Sequence, residues 1–94
     1  LGSAITSTRT TTRYKTRHLE AFRLVLLAGK EMPEHAVAGE LTVQCLEGSV
    51  DFSIGTTRDV MRAGDLKFLA GSVPHSLRAI EDVAVLGTLL LHGA

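Results

Sequence analysis

Few side chains in this sequence are equipped for chemistry, and their spacing excludes most of what they could do. There are four histidines, His18, His35, His75 and His92, and one cysteine, Cys45. A single cysteine rules out an internal disulfide and any cysteine-based zinc framework. The sequence has no nucleophile elbow, no phosphate-cradling glycine loop and no zinc spacing of Cys and His. Ser72 and Ser76 flank His75, but without a positioned acid they do not read as a triad. Glu47, Asp51 and Asp59 read as solvent-facing or turn carboxylates, and Met32 and Met61 as single apolar residues with no stripe around them. His18 and His92 lie near the chain ends with no supporting pattern and are expected at the surface. His35 and His75 remain.

The elements that must position these two residues read as β-strands. After Thr16 no helical stripe of useful length persists, and short β-rich runs recur between turn residues. The runs are 21–28, 31–37, 41–46, 50–54, 58–62, 66–69, 75–80 and 83–91. Pro33 marks the second as an edge strand. Val50, Phe52 and Ile54 alternate with Asp51 and Ser53, the pattern of a half-buried strand. Leu19, Phe22, Arg23 and Leu26 could also share a helix face, but the Val-Leu-Leu-Ala run and the Gly29-Lys30 turn favour a strand. Eight runs at this spacing predict an all-β sandwich or barrel, and no internal repeat is evident.

Two stretches resemble the paired motifs of the cupin superfamily, a double-sheet jelly roll. In GKEMPEHAVAGELTVQCLEG, Gly29, His35 and Gly48 keep the spacings of the first motif, G-x5-H-x-H-x3-4-E-x6-G. In GDLKFLAGSVPHSLRA, Gly64 and His75 keep those of the second, G-x5-P-x-G-x2-H-x3-N. The resemblance implies a small single-domain cupin with degenerate metal motifs and a double-stranded β-helix fold. The departures fall on the chemistry. Val37 stands at the second His position, Leu41 at the Glu position, Ala70 at the Pro, Ser72 at the Gly and Ala79 at the Asn.

In the family, three His and one Glu hold iron, manganese, nickel or zinc, leaving positions open for substrate. Only His35 and His75 survive here, so the resemblance implies at most a reduced metal site on those two residues. Strand parity puts Leu41, Val43 and Cys45 on one face, lining the barrel if the family's geometry holds. The expected ligand pocket is therefore His35, Val37, Leu41, Val43, Cys45, His75 and Leu77. Cys45 is a soft ligand in principle but a small core hydrophobe in most settings. Glu34 has the wrong parity, and Glu40 reaches inward only through a bulge at Gly39.

The 94 residues allow one core, and 45% apolar with 21% charged is the composition of a folded domain. Ten basic and ten acidic residues cancel, but unevenly. Residues 1–18 carry Arg9, Arg13, Lys15 and Arg17, no acid and many threonines; the rest carries the ten acids. The organisation expected is a basic Thr-rich arm over 1–18 and a cupin-like barrel over 19–94. The arm reads as a flexible or edge-strand extension, as a strand exchanged with a partner subunit, or as a nucleic-acid arm. The last lacks clustered charge and aromatics beyond Tyr14. The 83–91 run is apolar on both parities, so a second subunit is expected to cover its outer side, giving a homodimer. That run is too short to cross a bilayer. Residues 1–7 lack the charged and apolar regions of a secretory leader, so a cytoplasmic location is expected.

Three functions follow as expectations. The first is small-molecule binding at the barrel mouth near His35 and His75. The second is a metal-dependent enzyme of dioxygenase or isomerase type, and the third is partner or nucleic-acid binding through the arm.

Overall fold

The computed structural model describes residues 8–91, and all regular structure among them is β. The strands are β1 (Thr8–Lys15), β2 (Leu19–Leu26), β3 (Glu31–His35), β4 (Leu41–Glu47), β5 (Ser49–Ile54), β6 (Thr57–Arg62), β7 (Leu66–Leu69), β8 (His75–Ala79) and β9 (Val83–Leu90). They form a five-stranded sheet, β1-β2-β9-β4-β7, and a four-stranded sheet, β3-β8-β5-β6, with antiparallel pairing throughout. Apart from the hairpins β1-β2 and β5-β6, consecutive strands pass from one sheet to the other, so segments distant in sequence become neighbours. This is a jelly roll.

Leu19–Leu26 is a strand, as favoured over the helical alternative but beginning and ending two residues earlier than the 21–28 run, because this segment pairs on both edges. The threonine run from Thr8 forms a ninth strand on the outer edge of its own chain's sheet. β-branched threonines suit a pleated, half-solvated edge. His92 and residues 1–7 lie outside the described residues.

The core fills the space between the sheets. In β4 the alternation buries Leu41, Val43 and Cys45, and in β5 it buries Val50 and Phe52. In β8 the same period buries His75, Leu77 and Ala79. His75 therefore occupies a core position rather than a loop tip. Gly87, in the middle of β9, makes room for a neighbour: an added Cβ would lie 2.3 Å from the Phe22 ring.

The opposite face of the five-stranded sheet is unusually apolar. Phe68 and Leu66 pair with outward-facing Thr42 and Gln44, Leu86 follows in the same rows, and Tyr14 stands at the far edge. Leu66 is 66% exposed, and Phe68 and Tyr14 are each 60% exposed. The expectation that β9 is apolar on both sides is met, with Leu90 also exposed on that outer side.

Candidate functional site

His35 ends β3 and His75 begins β8, and the two are direct cross-strand partners. Pro33 and a register irregularity between Met32 and His35 keep β3 short and at the sheet edge. The loop before β8 is tied back to the first motif by the Ser72 N–H, which donates to the Val37 carbonyl at 2.7 Å. Ser72 adopts a φ of 66° there, a left-handed conformation that glycine would hold without strain. The two imidazole centroids are 4.4 Å apart, with the rings inclined by 58°. On its other flank His75 stacks with Phe52, at 5.7 Å between centroids and 4° between planes.

Both rings are anchored in the same way. His35 Nδ1 lies 2.9 Å from the Pro33 carbonyl, and His75 Nδ1 lies 2.9 Å from the Val73 carbonyl. A carbonyl oxygen only accepts, so each Nδ1 carries a proton and donates it. In the neutral rings each Nε2 then bears a lone pair. His75 is only 2% exposed. Burial holds its pKa below the ordinary histidine range, opposed by the Val73 carbonyl and reinforced by the nearby His35.

These two residues form the polar edge of a cavity of about 50 Å³. The remaining wall is Phe22, Leu24, Met32, Val37, Leu41, Val43, Leu77, Val85, Gly87 and Leu89. Of the residues expected to line a pocket, the fold brings together His35, Val37, Leu41, Val43, His75 and Leu77. Cys45 is the correction. It is fully buried towards the far end of β4, and its thiol faces the Glu47 and Gly48 carbonyls at 3.6 Å, away from the cavity. The strand parity is as expected, but each step of two residues carries a side chain deeper into the barrel. Burial, with Asp65 nearby, pushes its thiol pKa up, so Cys45 behaves as a core hydrophobe.

Half of the wall was not anticipated. Met32 reaches it because the β3 irregularity breaks simple alternation. Phe22, Leu24, Val85, Gly87 and Leu89 come from β2 and β9, outside both motifs. A glycine inside an apolar strand was the available signal for a close approach at this point. A second, more open depression of about 310 Å³ lies on the outer sheet face, where Arg23 and Glu47 approach to 3.8 Å.

The donor set does not fit the four-ligand metal centre that the resemblance implies. Val37 and Leu41 present carbon where imidazole and carboxylate would be needed. Glu34 and Glu40 are exposed, and Cys45 points elsewhere. Among the described residues no group of three or more His, Cys, Asp or Glu could hold an ion.

No protein-family model and no curated protein sequence matches this chain. Solved structures do. An RmlC-like cupin protein from Desulfovibrio desulfuricans is 26% identical, with a TM-score of 0.82 over 96% of this chain and 92% of that one. A cupin superfamily protein from Desulfitobacterium hafniense is 11% identical, with a TM-score of 0.85 over 89% and 77%. A salicylate 1,2-dioxygenase from Pseudoaminobacter salicylatoxidans, in complex with gentisate, is 18% identical, with a TM-score of 0.83. The match covers 88% of this chain and 25% of the dioxygenase. The jelly roll is thus the cupin fold.

Proposed function

We propose that this chain, a small cupin-fold barrel, binds a small molecule at the barrel mouth through His35, His75 and the apolar wall beside them. The observation that carries the reading is the wall itself: carbon on most sides, with two anchored imidazoles along one edge. Apolar cavities with a few fixed polar groups are the usual form of ligand sites. The volume sets the scale. About 50 Å³ is a third of the roughly 150 Å³ that accepts benzene, so the cavity takes a head group of a few heavy atoms or the leading edge of a small ring, the rest of which lies in the open mouth.

The test is a thermal-shift screen of metal-free protein against small organic fragments, repeated on His35→Ala and His75→Ala. Binding that raises the melting temperature of the parent and is lost in the variants supports the reading. Fragment binding that both variants retain overturns it.

A second reading is favoured by the carbonyl anchoring of both Nδ1 atoms, the arrangement that commonly orients metal-ligating imidazoles. It is a metal-dependent enzyme of dioxygenase or isomerase type working from a reduced His35/His75 site. Two imidazoles alone hold a divalent iron, manganese, nickel or zinc ion weakly. This reading therefore requires metal that co-purifies and is lost in both His variants.

For partners, we infer a homodimer formed through the outer face of the five-stranded sheet. Leu66, Phe68 and Tyr14 supply its apolar surface. A second copy is the occupant because the chain carries both signs of charge in separate segments, each complementary to the other. Phe68→Asp is expected to convert a dimer to a monomer in light scattering, and a monomeric parent at micromolar concentration would exclude it. Nucleic-acid binding through the basic arm is disfavoured by the acidic remainder of the chain. No helix among the described residues is long and apolar enough to cross a membrane. A cytoplasmic site of action accords with the free, buried Cys45.

A further inference from the structure

We propose that the ligand received at the barrel mouth is an apolar molecule bearing a hydrogen-bond donor, an O–H or N–H, which the Nε2 atoms of His35 and His75 accept. This rests on the binding reading above and adds the chemical class of the ligand.

The class follows from proton placement. The Pro33 and Val73 carbonyls each face an Nδ1 at 2.9 Å and have no proton to give, so each ring spends its one neutral-state proton on the backbone. What the pair presents to the cavity is then two lone pairs and no donor. Neither Nε2 meets a donor among the described residues. His75 is 2% exposed, so its lone pair is also withheld from bulk water. A buried acceptor without a partner is costly, and the site therefore favours an occupant that supplies a proton to share. The low basicity that burial gives His75 keeps that lone pair available at neutral pH.

The rest of the wall narrows the class further. Met32, Val37, Leu41 and Leu77 offer only carbon and sulfur, so the body of the ligand must be apolar. A carboxylate or phosphate would bring lone pairs to lone pairs, with no cationic side chain on the wall to offset them. With the ring centroids 4.4 Å apart, a group bearing two protons, such as a primary amide, has an acceptor for each. A ring N–H or an alcohol uses one.

Pyrrole and furan separate the possibilities, because they are flat five-membered rings of similar size and only pyrrole has an N–H. The full chain, labelled with ¹⁵N-histidine and treated with EDTA, is titrated with each while the imidazole nitrogen shifts are followed. In the free protein both rings are expected as the Nδ1–H tautomer. Pyrrole is expected to bind about tenfold more tightly than furan, the effect of leaving one buried acceptor unpaired, and to move the Nε2 resonances. That preference is expected to fall to about twofold or less in the double variant His35→Leu/His75→Leu, and in at least one of the two single variants, the one whose ring accepts the N–H, should the double variant fail to fold. Equal affinity of the parent for the two probes, a ring proton found on Nε2, or a preference that requires added divalent metal overturns the donor class while leaving cavity binding intact. Failure of both probes and of a wider fragment set to perturb any cavity residue overturns the binding reading as well.

Discussion

Installing a third imidazole and a carboxylate beside His35 and His75 tests whether two apolar positions alone separate this barrel from a metal centre. The perturbation is Val37→His with Leu41→Glu, both on the wall of the same cavity. Leu41 is 4% exposed. Its loss removes about 1.5–3 kcal/mol of apolar burial, and an unpaired buried carboxylate costs several kcal/mol more unless it stays protonated. Against a total of about 5–15 kcal/mol for a domain, the metal-free variant is marginal. A metal held at a thousand times its Kd returns about 4 kcal/mol, or on the order of 15–30 °C in Tm for a chain of this size. The parent, with two imidazoles and an ion near its Kd, gains only about 0.4 kcal/mol, a shift of roughly 2–3 °C. Circular dichroism melts with zinc or manganese, against EDTA, read the difference. Val37→His alone, at a half-buried position, provides a milder variant if the double variant does not fold. A parent shift as large as that of the double variant would refute the reasoning, since the site would already be a metal centre. So would a folded double variant that does not respond to metal.

Three further outcomes follow from the same geometry. Burial lowers the folded-state pKa of His75 below 6.5, so its contribution to stability is complete above that value and declines as pH falls towards the folded pKa; melts between pH 7.5 and 5 are expected to show a fall that is reduced in His75→Leu. Gly87→Ala places a methyl group 2.3 Å from the Phe22 ring, which is expected to cost about 1–3 kcal/mol in denaturant unfolding and to push the ring into the cavity, weakening fragment binding. Ser72→Gly relieves a left-handed φ of 66° and is expected to leave the protein as stable or up to about 1 kcal/mol more stable, whereas Ser72→Val is destabilising.

The strand pattern was legible because alternation survives where one face is buried. Val50 and Phe52, and Leu41 and Val43, point inward as their parity requires. The edge character of β3 followed from Pro33. The β1 strand was less legible: a polar threonine run carries no burial signal, and only its pairing with β2 defines it. The histidine pair could be named from motif spacing, but the anchoring of both Nδ1 atoms could not, since it depends on local carbonyl orientation at Pro33 and Val73. Phe22 and Leu89 reach the cavity through long-range pairing of β2 with β9, which no local pattern encodes. Cys45 shows the limit of parity, because facing the barrel interior does not place a residue at its mouth.

The central claim is that the mouth takes an organic ligand without a resident metal. Its most direct measurement is a heteronuclear NMR titration of EDTA-treated protein with a small-fragment set, following the histidine rings and the Met32, Val37, Leu41 and Leu77 methyls. The account predicts saturable shifts concentrated on those groups in metal-free protein. Shifts that appear only after divalent metal is added, or that fall away from His35 and His75, would contradict it.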